Sequence, residues 1–253
     1  MQVDRVRVSS AFAEYVAAYD MTDGKIALKA EHTLRVAELC DGIAVSLGLP
    51  AAEQDVAWLC GMLHDIGRFE QVRRWGTFFD SQSVNHAEFG ADLLFCEGLI
   101  ARFVDGCDPA VEVAIRNHNR LRVEPDLLPR TQTLCDILRD ADKIDILRVN
   151  VERPAQEIYG AALPEIMTGD ITPAVEQDFY ACHCVDRAHM VTLLDRRVGH
   201  LCFVYELVYP WSLQQMVAQG YLAQALSEAS ANPATEAKLS RMRAFLNSWI
   251  SQR

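Results

Sequence analysis

Apolar residues recur three and four positions apart along most of the chain, and runs of strict alternation are nearly absent. The exceptions are VDRVRV near the start and the short LCFVYELVY stretch. The helical period predicts a helix from about Lys25 to Leu47, with Val36, Cys40, Ile43 and Leu47 on one face and Gly48 and Pro50 ending it. A second starts near Ala51 and turns Val56, Leu59, Cys60 and Leu63 inward. A third begins near Asn85 with Phe89, Leu93 and Leu94, and a fourth, opened by Pro109, carries Val111, Ala114 and Ile115. The fifth covers roughly Thr131 to Val149 through Leu134, Leu138 and Ile146. After Pro154 come further helical segments, interrupted near Pro164, Pro173, Pro210 and Pro233. The last, around Thr235 to Ile250, is amphipathic through Leu239, Met242, Phe245, Leu246 and Trp249. No internal repeat is present. The expectation is a single all-α domain over residues 1–253, with a core at about 25–150 and a C-terminal helical extension at about 151–253.

Composition narrows the partners. Half of the 253 residues are apolar, ample for a sizeable core. With 35 acidic against 24 basic residues, the net charge of −11 argues against a nucleic-acid duplex or an anionic membrane. A small anion is still admissible, because a metal or a local basic cluster reverses the field inside a pocket. No apolar run approaches a membrane span, and MQVDRVRVSSAFAEYVAAYD lacks the apolar centre of a signal peptide. Eight cysteines are scattered, several on apolar stripes, as Cys40 with Val36 and Ile43 or Cys60 with Val56 and Leu63. They read as reduced thiols in a cytoplasmic protein. A zinc knuckle at Cys182-His183-Cys184 is disfavoured, since no second pair stands at a usable spacing. The amphipathic last helix suits a homo-oligomer interface as well as a core.

The polar residues that fall on apolar faces change the picture further. In GMLHDIGRFEQ, Gly61 to Gln71, a His-Asp doublet closes an apolar run. Alone it reads as a helix end, with Asp65 and Gly67 as turn residues. Yet His32 lies one turn before Val36, His64 one turn after Cys60, His86 one turn before Phe89 and Gly90, and His118 one turn after Ala114 and Ile115. Each imidazole therefore points inward from a different predicted helix. Burying four rings without partners is costly, and a shared divalent metal removes that cost. Asp65 and the acids of LRDADKIDILR, Asp140, Asp142 and Asp145 around Lys143, add oxygen donors. Nitrogen and oxygen donors without thiolates suit Mn²⁺, Fe²⁺, Zn²⁺, Mg²⁺ or Ni²⁺.

Together EHTLRV, GMLHDIGRFEQ, NHAEFGADLL, AIRNHNR and DADKID, in this order, resemble the HD superfamily of metal-dependent phosphohydrolases over about Lys25 to Val149. The resemblance implies an all-α HD helical bundle whose core metal ligands are His32, His64, Asp65 and Asp142. The resemblance favours Asp142 over Asp140, because the family's ligand immediately precedes the basic residue of that motif, here Lys143. It implies that His86 and His118 serve a second ion where two bind, with Asp65 as the bridge. The Gly-Tyr-Pro type signature of cyclic-di-GMP phosphodiesterases is missing after His118, which counts against that substrate. Arg68 stands where some nucleotidases of the family carry a catalytic glutamate.

The implied activity is hydrolysis of a phosphomonoester or phosphodiester of a small molecule, a nucleotide above all, by metal-activated hydroxide with one or two ions. Asp65, Lys143 and Arg68 are the expected catalytic residues, the last two as phosphate clamps. Lys29 and Arg35 read more readily as solvated surface charges. The loop WGTFFDSQSVN, Trp75 to Asn85, either lines the entrance or simply connects two helices. The alternative is a catalytically silent metal- or nucleotide-binding sensor on the same fold. The intact ligand set favours the enzyme.

Overall fold

The computed structural model describes all 253 residues, and its regular elements are helices throughout. Fourteen α-helices follow one another: α1 Arg5–Ala17, α2 Gly24–Ser46, α3 Ala51–Leu63, α4 Ile66–Trp75, α5 His86–Ala91, α6 Pro109–Asn117, α7 Pro129–Glu152, α8 Ala155–Tyr159, α9 Leu163–Met167, α10 Pro173–Tyr180, α11 Leu193–Leu201, α12 Pro210–Ala218, α13 Tyr221–Ser227 and α14 Pro233–Ser251. The all-α expectation holds. VDRVRV, the strongest alternating run, enters α1 instead of a strand: Asp4 caps the helix by accepting from the backbone N–H groups of Val6 and Arg7. LCFVYELVY forms a 3₁₀ turn at Cys202–Glu206 and then extended backbone. No helix is long and apolar enough to cross a membrane.

The chain forms two compact units, Met1–Asp142 and Lys143–Arg253, with the boundary inside α7. In the first unit the tightest crossing is α2 on α3. A Cβ on Gly61 would lie 2.5 Å from the Ala37 Cα, so only glycine lets the two backbones approach this closely. Val36, Ala37, Cys40 and Ile43 of α2 and Val56, Leu59, Cys60 and Leu63 of α3 fill the crossing with buried side chains. The next close approach joins α4 to α5. There a Cβ on Gly67 would meet the Gly90 N and the His86 carbonyl oxygen, both at 2.7 Å. Gly67 is thus a helical residue inside α4, not the turn residue the doublet suggested; it is glycine because α5 lies against it.

In the second unit, prolines 173, 210 and 233 open helices α10, α12 and α14, and Pro164 sits in the first turn of α9. Proline suits that position because its missing N–H has no intrahelical partner there. Thr192 caps α11 in a capping box with Asp195, whose carboxylate also accepts from the Thr172 backbone N–H and hydroxyl. All eight cysteines are free thiols, and five of them are buried.

Candidate metal centre

Each inward residue is delivered by the end or the inner face of a helix. His32 follows Leu28 and precedes Val36 on the buried stripe of α2. His64 is the C-cap of α3, and Asp65, immediately after it, is the N-cap of α4. Asp65 makes no side-chain capping bond, so its carboxylate is left to the interior. His86 is the first residue of α5, where the Asn85 side chain accepts from the N–H groups of Ala87 and Glu88 and fixes the start. His118 is the C-cap of α6, and Asp142 lies on α7. All six are buried, none exposing more than 9% of its surface.

Their donor atoms converge on Asp65. Its Oδ2 lies 3.6 Å from His32 Nε2 and 3.4 Å from His64 Nε2. Its Oδ1 lies 3.5 Å from His86 Nε2 and 3.8 Å from His118 Nε2. Asp142 Oδ1 completes the first side, at 3.1 Å from His32 Nε2 and 3.8 Å from His64 Nε2. The two histidine pairs are themselves close: His32 and His64 Nε2 are 3.4 Å apart, and His86 and His118 Nε2 3.1 Å. Two overlapping triads, His32–His64–Asp142 and His64–Asp65–His118, have ligand atoms within 4.8 Å of one another and could hold a metal ion.

The opposite edges of the rings decide which nitrogen is bare. His64 Nδ1 lies 2.7 Å from the Gly61 carbonyl oxygen and His118 Nδ1 2.6 Å from that of Ile115. A carbonyl only accepts, so both Nδ1 atoms carry a proton and Nε2 is the nitrogen each ring turns to the centre. His86 Nδ1 donates in the same way to Asp80 Oδ2 at 2.7 Å. His86 and His118 therefore face each other through two lone pairs, an arrangement that calls for a cation between or beside them. Asp65 Oδ1, buried and without a hydrogen-bond partner, faces the same place. These donors fit a divalent metal.

A family model, the HD domain, matches residues 30–147, a little under half of the chain. The protein carries an HD domain. No curated protein and no solved structure gives a match. HD domains are in general metal-dependent hydrolases, and all six converging residues fall inside the matched span.

The charges around the HD-domain centre favour a cation. Burial alone would raise the Asp65 carboxyl, but Lys29, His64 and Arg68 hold it well below the usual carboxylate range. Asp142 is likewise lowered against its burial, chiefly through His32 and His64. Burial, reinforced by Arg68, pushes His86 down to about 4 despite Asp80 and Asp65. His118 is pushed down to about 3 by burial and by its neighbours His86 and His64. At neutral pH these two rings are uncharged and the carboxylates ionised, the states a metal ion needs.

The basic residues around the centre differ in what they meet. Lys29 is not a solvated surface charge: its ammonium donates to Asp65 Oδ2 at 2.6 Å, with 16% of its side chain exposed. It lies three residues before His32 and so shares its helix face, a signal that was legible in the spacing. Arg35 is half-buried. Arg68 brings its Nε to 3.5 Å from Asp65 Oδ1, while its Nη1 donates to the Phe78 carbonyl, Gln71 Oε1 and Asp80 Oδ1 at 2.6, 2.8 and 2.9 Å. Lys143 donates to the Glu206 carbonyl oxygen at 3.2 Å and lies 3.9 Å from that residue's carboxylate. Of the other acids in DADKID, Asp140 is buried and Asp145 grips the buried Arg148 through two contacts of 2.7 and 3.0 Å. Asp80 escaped sequence reasoning altogether. It lies in the connection between α4 and α5, and nothing in its spacing announces a histidine partner.

Proposed function

We propose that this chain hydrolyses a phosphomonoester or phosphodiester of a small molecule, with a nucleotide as the favoured class, using two divalent ions that share Asp65. The observation that carries the reading is the carboxylate of Asp65, whose two oxygens face two different pairs of imidazole nitrogens. His32, His64, Asp65 and Asp142 would hold one ion, and His86, His118 and Asp65 the other. When bound, such ions neutralise phosphoryl charge and acidify water at neutral pH. Donors that are all nitrogen and oxygen suit Mn²⁺, Fe²⁺, Mg²⁺, Zn²⁺ or Ni²⁺.

The protein's own part is positioning and charge. His64, His86 and His118 are kept in one tautomer by their Nδ1 bonds, so no ring has to reorient to present its lone pair. Lys29 stands beside the carboxylate with two further ammonium donors for a phosphoryl oxygen. Arg68 adds a second positive charge on the other side of Asp65, its buried Nε 3.5 Å from Oδ1 and without a hydrogen-bond partner. The low-dielectric surroundings strengthen both attractions.

A hydrolysis screen of the purified protein over nucleotides and generic phosphate monoesters and diesters, read as release of the alcohol or nucleoside product and with each candidate ion added in turn, tests this reading. Hydrolysis that requires metal and disappears in Asp65→Ala is the expected result. Tight metal retention with no hydrolysis across the whole panel would overturn the enzyme in favour of a metal-binding sensor.

A further inference from the structure

The three histidines whose outer nitrogens are anchored do not use the same kind of anchor. His64 and His118 donate from Nδ1 to carbonyl oxygens three residues back, at Gly61 and Ile115, in contacts formed by the helix ends themselves. His86 opens its helix and has no preceding turn to lean on. Its Nδ1 reaches a carboxylate instead, Asp80 Oδ2, at 2.7 Å.

That carboxylate is held from several directions. Asp80 Oδ1 accepts from Arg68 Nη1 at 2.9 Å and from Gln71 Nε2 at 3.0 Å. Gln71, fully buried, also donates to Ser83 Oγ at 2.8 Å and to the Val84 carbonyl at 3.0 Å, which fastens the loop between Asp80 and His86. Arg68 donates to the Phe78 carbonyl at 2.6 Å on the other side of Asp80. The Asn119 amide nitrogen lies 3.4 Å from His86 Nδ1 and 3.5 Å from Asp80 Oδ2, too far to displace the shorter contact, and it donates at 2.8 Å to Asn85 Oδ1. Burial would raise the Asp80 carboxyl, but His86 and Arg68 hold it below its ordinary range.

The two sides of the centre also differ in charge. The His32–His64 pair has Asp142 and one oxygen of Asp65. The His86–His118 pair has the other oxygen of Asp65 alone. We propose that Asp80 is a positioning residue for the His86–His118 side: it locks His86 in the Nδ1–H tautomer, aims its Nε2 inward, and supplies through the ring the negative charge that this side otherwise lacks. A carboxylate behind a ligating imidazole raises its basicity, and losing such a partner typically weakens metal binding about 10- to 100-fold. Arg68, wedged between Asp65 and Asp80, holds both carboxylates in register. This inference rests on the proposed metal centre for its consequence, but not for its geometry.

The test uses the full chain labelled with ¹⁵N-histidine, as wild type, Asp80→Asn and Asp80→Ala. Long-range ¹H–¹⁵N correlation at pH 8 after chelation reads the tautomer of each ring. His86 is expected purely as the Nδ1–H tautomer in the wild type and mixed in both variants. His64 and His118 are expected unchanged, which also shows that the variants are folded. Zn²⁺ titration is then expected to show one binding step weakened about 10- to 100-fold by Asp80→Ala and the other unaltered. A His86 ring that stays purely Nδ1–H in both variants would overturn the inference, whatever the metal data show. A wild type that hydrolyses no ester of the screen, alongside variants that display the tautomer change, would count against the proposed activity and leave Asp80 in its role.

Discussion

Lys29 illustrates how one side chain gains meaning from its partner. The ammonium sits 2.6 Å from Asp65 Oδ2, on the face of α2 that also carries His32, yet part of it reaches solvent. A purely structural counterion would be replaceable by arginine or by a neutral residue with only a stability change. A phosphoryl-binding ammonium would not be. Hydrogen bonds to charged groups contribute about 1.5–3 kcal/mol. Lys29→Met is therefore expected to lower kcat/KM by roughly 10- to 150-fold at saturating metal, with Lys29→Arg intermediate. Steady-state hydrolysis of the best ester of the screen measures it. An unchanged kcat/KM in Lys29→Met would remove Lys29 from the substrate's surroundings.

At the scale of elements, the centre depends on two helix crossings as much as on its donor atoms. Gly61 lets α2 and α3 approach beside His32 and His64, and Gly67 lets α4 and α5 approach beside Asp65 and His86. Gly67→Ala forces a methyl group against the Gly90 backbone and the His86 carbonyl. Overpacking of this kind costs about 1–3 kcal/mol. A urea midpoint well below that of wild type is expected, together with weaker binding on the His86–His118 side. Gly24→Ala, where a Cβ meets nothing within 4 Å, is the control and should leave the midpoint in place. Equal midpoints for the two variants would contradict the crossing argument.

The same elements show what the sequence could and could not disclose. α2, α3, α6 and α7 were legible within a few residues, because their apolar stripes run for two turns or more and their ends carry Gly, Pro or capping residues. α1 was masked by the alternation of VDRVRV, which a cap at Asp4 overrides. α4 was masked because its start coincides with the His64-Asp65 doublet and its close packing glycine imitates a turn. The four histidines were legible because each stands one turn from an apolar neighbour, Asp65 because it adjoins His64, and Asp142 through the motif it shares with Lys143. Asp80 and Gln71 were not, since they meet His86 through the path of an irregular loop, which no periodicity encodes.

For the molecule as a whole, buried neutral histidines set how it responds to acid. His86, His118 and, in the second unit, His200 are all held below the ordinary histidine range, at about 4, 3 and 4. Burial is the leading cause in each; His200, which bonds the Tyr159 hydroxyl at 2.9 Å, is pushed further by Arg197. In the unfolded chain these groups take up protons near pH 6.5, whereas the folded chain resists until its own lower values. Stability is thus retained above about pH 6.5 and lost as the pH falls toward 4. Each such histidine contributes about 1.4 kcal/mol per pH unit within that window. Urea midpoints of chelated protein at pH 8, 6 and 5 should fall in that order. A midpoint that rises on acidification would contradict the burial of these rings as neutral groups.

The proposed bridge at Asp65 ties these scales together, and metal stoichiometry tests it most directly. Purified wild type, reconstituted with Mn²⁺ and freed of excess, is expected to hold two equivalents. His86→Ala and His118→Ala should each hold one, and Asp65→Ala should bind neither tightly. A single equivalent in the wild type that survives unchanged in both His86→Ala and His118→Ala would contradict a centre shared across the two oxygens of Asp65.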